Sequence, residues 1–296
     1  MEDTLQLVVN QQAMLGESPV WDHERQLLYW VDILQKRVFR YHPETKINDC
    51  FQLPQYVGAV AIKNANEAIV AMHNGLYSLN LQSHQLTLLA EVEKHLPNNR
   101  LNDGKCDAYG RFWVGTMDMA NKKEQGALYC FENNLLQRKL VNVSLSNGIA
   151  WAPDNQYMYH IDTLRKKVTR FDFHLASGNI TNAKDVIVFK GDDGMPDGMT
   201  IDEEGMLWIA HWGGGKVSRW NPHTGEQIHI IEVPAPYVTS CTFGGQALDE
   251  LYITTARSNL NDEQLANYPL SGGLFKIKVD VKGMPPFHMQ VVQNSM

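Results

Sequence analysis

Apolar and polar residues alternate along this chain in short runs, and Gly-, Asn-, Asp- and Pro-rich turns separate them; such runs read as half-buried strands. Arg37-Val-Phe-Arg-Tyr41, Lys167-Val-Thr-Arg-Phe171 and Lys216-Val-Ser-Arg-Trp220 show the pattern plainly. No segment sustains a helical period over three turns, and residues 91–96 have room only for a short turn of helix. The pattern repeats. Glu17-Ser-Pro-Val-Trp-Asp22 is followed by a polar turn and Leu27-Leu-Tyr-Trp-Val-Asp32. The same order returns at Asn102 with Phe112-Trp-Val, at Asn147 with Tyr157-Met-Tyr, and at Asp197 with Leu207-Trp-Ile, and two fainter copies begin at Val57 and Ser240. The starts at 17, 57, 102, 147, 197 and 240 give a period of roughly 40 to 50 residues, the range of propeller repeats.

A unit of three or four antiparallel strands cannot cover both of its faces, but several units stacked radially can. The expected fold is therefore all-β, a six-bladed β-propeller, with residues 1–296 as a single domain. Residues 1–12, which contain Leu5-Gln-Leu-Val-Val9, have no repeat of their own and are expected to close the last blade. A pair of packed sheets is the alternative architecture.

Equivalent positions of a propeller repeat form rings around one axis. Aligned on their starts, the copies place Glu17, Val57, Asn102, Asn147, Asp197 and Ser240 on such a ring. Two of these are carboxylates where a structural strand would favour Val or Ile. Buried carboxylates need a compensating cation or hydrogen bonds. Arg100, two residues before Asn102, is one candidate partner, and a divalent metal is the other. Glu, Asp and Asn offer oxygen donors, which suit Ca²⁺, Mg²⁺ or Mn²⁺. The competing explanation is local, because Asn-Gly, Asn-Asp-Gly and Asp-Gly are strong turn sequences in their own right.

The 296 residues carry 26 Lys+Arg against 33 Asp+Glu, a net charge of −7, and no dense basic stretch, which argues against a nucleic-acid partner. No apolar run is long enough to span a bilayer, and the acidic start Met-Glu-Asp-Thr-Leu does not resemble an export signal. The four cysteines (Cys50, Cys106, Cys130, Cys241) form no CxxC pair, so free thiols and a cytoplasmic location are expected. The eleven histidines show no HExxH spacing. His211 reads as a surface or hydrogen-bonded histidine, and Gly213-Gly-Gly-Lys216 as a hairpin turn, since the phosphate-loop spacing is absent. No GxSxG elbow occurs.

With these residues in view, the chain resembles the SMP-30/gluconolactonase/regucalcin-like lactonases over nearly its whole length. The landmarks are Gly16-Glu-Ser-Pro-Val-Trp21, Asn99-Arg-Leu-Asn-Asp-Gly104, Phe112-Trp-Val-Gly-Thr-Met117, Ser146-Asn-Gly-Ile-Ala-Trp151, Pro196-Asp-Gly-Met199 and Thr239-Ser-Cys-Thr-Phe-Gly244. The resemblance implies a six-bladed propeller with one divalent metal ion held by Glu17, Asn147 and Asp197. It further implies that Arg100 and Asn102 bind the hydroxyls of a sugar lactone such as gluconolactone, which is hydrolysed with Asp197 as general base and metal ligand. Ca²⁺ is the expected ion, with Zn²⁺, Mg²⁺ or Mn²⁺ as alternatives, and a monomer or weak dimer is expected. Two further functions stay open: an organophosphate or aryl-ester hydrolase on the same centre, and a non-catalytic calcium- or ligand-binding propeller. The role of residues 118–125 in choosing the sugar is open, and Asp103 is expected to point away from the channel and hold a turn.

Overall fold

The computed structural model describes residues 4–191 and 193–290, and in it the alternating runs are strands paired antiparallel with their sequence neighbours. Short polar turns allow this pairing and no other. Gly16–Asp22, Leu27–Asp32, Arg37–His42 and Ile47–Gln52 make one four-stranded sheet. Three more begin at Val57–Ile62, Asn99–Cys106 and Ser146–Trp151. The eight-stranded sheet that follows consists of two four-strand halves joined by the single pair Trp212 and Tyr237. The first half starts at Met195–Ile201 and ends at Glu226–Glu232. The second contains Tyr237–Gly244, Glu250–Ala256 and Leu274–Lys278, and its fourth strand is Gln6–Val9, antiparallel to Leu274–Lys278. The described residues hold little helix. Residues 91–96 hold only a turn, closed by Leu96 N–H on the Glu93 carbonyl. The α-helix of the described residues is Asp262–Asn267, capped by Asn261 and Gln264 in a reciprocal pair.

Burial decides which strand of each group faces inward. The first strands are buried along nearly their full length, whereas Ile47–Gln52, Asn179–Val188 and Glu226–Glu232 lie largely in solvent. The first strands touch one another in chain order, and Tyr237–Gly244 returns to touch Gly16–Asp22. Apolar side chains fill the spaces between successive groups, as sheets with two apolar faces require. Val31 and Phe51 pack on Val60 and Val70 in one such layer; Trp21 and Trp30 pack on Tyr252 and Leu274 where the end of the chain meets its beginning. No helix of the described residues is long and apolar enough to cross a membrane.

Buried aspartates pin the turns after the first strands. Asp107 accepts the N–H groups of Tyr109 (2.9 Å) and Arg111 (3.1 Å), the Arg111 guanidinium (2.7 Å) and the Trp113 indole (2.8 Å). Asp202 repeats the scheme with Glu204, Met206, Arg219 and Trp208. One carboxylate thus satisfies a tight turn and neutralises a buried guanidinium.

The C-terminal segment crosses beneath the first strands. Gly283 N–H bonds the Leu248 carbonyl, Met289 N–H that of Ile62, and Gln290 N–H that of Gly110. Met284, Pro285, Pro286 and Phe287 thereby floor a cavity of about 60 Å³ that all six first strands line, with Asp103, Lys105 and Cys106 in its wall.

Asp107→Ala leaves the Arg111 guanidinium buried without its carboxylate and is expected to cost about 3–5 kcal/mol in urea unfolding; Lys94→Ala, which removes an exposed ion pair, should cost less than about 0.5 kcal/mol. If the tail seals the cavity, a Met284→Gly/Phe287→Gly double variant should let maleimide reach Cys106 roughly tenfold faster. Labelling of exposed Cys50 should stay the same, and equal Cys106 rates would show that the tail does not close the space.

Candidate metal centre

The ladder between first and second strands breaks at one level in all six groups. The breaks lie between Glu17 and Val20, Val57 and Ala59, Leu101 and Gly104, Ser146 and Ile149, Pro196 and Met199, and Val238 and Ser240. A bulge of this kind re-aims the side chains within it. Asn102, Asn147 and Asp197 fall inside the breaks and Glu17 sits at the edge of one, followed by Ser18 in left-handed backbone (φ 47°). The Asn-Gly and Asp-Gly pairs are therefore strand residues, which overturns the reading of them as turns. Their glycines serve close approach: a Cβ on Gly148 would lie 2.8 Å from Met199 N, and one on Gly198 would lie 2.1 Å from Ser240 Oγ.

Four of the six ring positions carry polar groups into one buried cluster. Asn147 Nδ2 donates to Thr163 Oγ1 (3.1 Å) and to the Asp197 carboxylate, and Thr163 Oγ1 donates to the Pro196 carbonyl (2.8 Å). Thr163 thus fixes the amide so that Asn147 Oδ1 is left buried with no hydrogen-bond partner. The Glu17 carboxyl is close enough to that of Asp197 for the two to shift each other, and Glu17 accepts Ser18 N–H (2.7 Å). Burial first, and then the charges of Asp197 and Asp103, push the Glu17 carboxyl well above the usual carboxylate range; burial and Asp103 do the same to Asp197. Arg100 donates to Asn102 Oδ1 (2.7 Å) and the Leu101 carbonyl (3.0 Å), while Asn102 Nδ2 reaches the Ser146 carbonyl (2.8 Å). Burial lowers the Arg100 guanidinium to about 10, against the pull of Glu17 and Asp197. The other two ring positions do not join. Val57 packs in the apolar layer between the first two sheets, and Ser240 lines the cavity beneath.

Among the described residues no three Asp, Glu, His or Cys side chains gather as a metal cluster. The donor set here is two carboxylates and one amide oxygen, and it fits a hard divalent cation. The unpartnered Asn147 Oδ1 is the strongest sign of that fit, because a buried acceptor without a donor is costly unless something positive meets it.

The family model for the SMP-30/Gluconolactonase/LRE-like region matches residues 15–257. The chain belongs to this family. It is 39% identical over 282 residues to the Bacillus subtilis protein named "Putative sugar lactone lactonase YvrE", covering 95% of this chain and 96% of that one. It is 36% identical over 289 residues to regucalcin of Xenopus laevis, covering 95% and 97%. The crystal structure of a calcium-binding protein, regucalcin, from Agrobacterium tumefaciens superposes with a TM-score of 0.94 at 29% identity, over 98% of both chains.

In this member of the family three supports went unread in the sequence. Asp103 does not point away: it is buried, takes Gly104 N–H (2.8 Å), and its charge acts on both Glu17 and Asp197. Asp32 takes the N–H groups of Met14 and Leu15 just before Glu17, and Asp162 takes those of Ser144 and Leu145 just before Asn147. An Asp closing the second strand in both copies was the available signal. His211 is buried and hydrogen-bonded to Ser218 Oγ and the Asp193 carbonyl.

The raised carboxyls give a pH dependence of known sign. Without a cation, the folded Glu17–Asp197 pair keeps protons that the unfolded chain has released above about pH 4. Stability is then lost as pH rises from there through the raised folded value. In calorimetry of chelator-treated protein, Glu17→Gln should flatten this loss, and saturating Ca²⁺ should raise Tm more at pH 8 than at pH 6. An unchanged slope in the variant would assign the loss to other groups.

Proposed function

We propose that this protein is a sugar lactonase built as a single six-bladed propeller, with one divalent cation held in the channel by Glu17, Asn147 and Asp197. The single observation that carries the reading is the buried, unpartnered Asn147 Oδ1 beside two carboxyls that repel each other. The cyclic contact of the first strands supports the propeller. The names of the relatives support the chemistry, one being called a sugar lactone lactonase and another a calcium-binding protein. An all-oxygen donor set favours Ca²⁺, with Mg²⁺, Mn²⁺ or Zn²⁺ as substitutes.

A divalent cation bound there supplies a Lewis acid for the ester carbonyl. The chain's own residues do the rest. Arg100 and Asn102, held together by their hydrogen bond, orient the lactone hydroxyls, and Arg100 faces the oxyanion that develops at the carbonyl. Asp197 takes a proton from the attacking water. It then returns one to the ring oxygen as the acyl C–O bond breaks, leaving the open-chain sugar acid. Asp197 is ionised when it serves as a cation ligand, the state in which a carboxylate can accept this proton. The four free cysteines fit a reducing, cytoplasmic compartment.

Removal of divalent ions with a chelator should abolish hydrolysis of glucono-1,5-lactone in a pH-stat, and Ca²⁺ or Mn²⁺ should restore it. Asp197→Ala should lower kcat by about 10²–10⁴-fold, whereas Arg100→Ala should act mainly on KM. Full activity after exhaustive chelation would remove the proposal.

A further inference from the structure

Glu93 lies in the loop before Asn99–Cys106, outside the cluster described above, and its backbone is left-handed (φ 49°). Such a conformation persists in a non-glycine residue when its surroundings over-determine it. The surroundings here are three donors on one carboxylate. Oε2 accepts Asn99 Nδ2 at 2.7 Å; Oε1 accepts Tyr129 OH at 2.9 Å and Thr116 Oγ1 at 3.1 Å. All three donors are buried.

Asn99 is the branch point. It directly precedes Arg100, and its Nδ2 also donates to the Gln125 carbonyl at 2.7 Å. At the other end of the same hairpin, Met119 N–H bonds the Asn98 carbonyl at 2.9 Å. Segment 118–125 is thus fastened at both ends to the two residues before Arg100, and Glu93 holds one of these from behind. Tyr129 anchors the carboxylate to the neighbouring strand, and the other two arms flank Arg100: Asn99 directly precedes it, and Thr116 is the cross-strand partner of Leu101 just after it.

We propose that Glu93 is a positioning residue for substrate selection: through Asn99 it sets the Arg100 side chain and hairpin 118–125 as one unit. This rests on the lactonase reading, because it assigns Arg100 to the sugar hydroxyls. Glu93 touches neither the reacting atoms nor the three cation donors, so its loss should act on substrate binding and leave the chemical step intact.

The test compares Glu93→Ala, Glu93→Gln and Tyr129→Phe on glucono-1,5-lactone in the Ca²⁺-loaded protein. Glu93→Ala should raise KM about tenfold with kcat within about twofold, the split expected when ground-state and transition-state binding fall together. Glu93→Gln keeps acceptors for Tyr129 and Thr116 but sets an amide against Asn99, so its KM should fall between. Tyr129→Phe removes an anchor without touching the Asn99 arm, and its KM should stay near that of the unaltered protein even if Tm drops. Equal KM changes in Tyr129→Phe and Glu93→Ala, or a kcat loss without a KM change, would overturn the proposal. Absence of lactone turnover by the unaltered protein would fail the lactonase reading instead. In that event hydrogen exchange decides: beyond any global loss read from the core strands, Glu93→Ala should speed exchange at residues 119–125 about tenfold, and a change there no larger than in the core would reject the coupling.

Discussion

Two carboxyl groups, Glu17 and Asp197, are buried against each other, and most of the remaining architecture can be understood as the means of holding them there. Like charges at such a distance in a dry interior repel strongly, and a protein keeps them only with a proton, a cation or a set of donors in compensation. The donors around this pair are few. Asn147 gives one amide N–H to Asp197, and Ser18 gives its backbone N–H to Glu17. Arg100, whose charge reaches both carboxyls, spends its hydrogen bonds on Asn102 and the Leu101 carbonyl. The deficit of positive charge and the unpartnered amide oxygen point the same way, toward a cation.

The bulges make this possible. A regular first strand would send alternate side chains into the two apolar layers beside it, and every residue of the cluster would have been a packing residue. An extra residue at one level in each first strand breaks that alternation and turns side chains onto the shared axis. Glycines after Asn147 and Asp197 then let neighbouring first strands come close enough for groups from different sheets to bond. Buried aspartates on both sides of this level, Asp32 and Asp162 above and Asp107 and Asp202 below, fasten the connecting segments so that the bulged residues have little freedom.

Access to the cluster is set from two directions. Beneath it the C-terminal segment floors the channel, with Asp103 and Lys105 in the wall of the enclosed space. On the other side, the loop containing Glu93 and the hairpin 118–125 meet at Asn99, next to Arg100. Arg100 is therefore linked through Asn99 to two loops, whereas Glu17, Asn147 and Asp197 are held by the strands, and the two sets can vary separately.

Much of this was legible from residue order. Alternation marked the strands because burial of one face has a period of two, and the recurrence of that pattern placed Glu17, Asn102, Asn147 and Asp197 at one level because each copy must solve the same packing problem. The capping pair Asn261 and Gln264 was also written in the chain, but a six-residue helix with no buried residue leaves no apolar period to notice. Other features were decided only by the tertiary structure. Whether Asn147-Gly148 is a turn or a bulged strand depends on the neighbour that presses against the glycine, and that neighbour is about fifty positions away. The direction of Asp103, the exclusion of Val57 and the role of Glu93 depend likewise on contacts between segments distant along the chain. Local sequence sets which conformations are cheap; it is the close packing of separate sheets that selects among them.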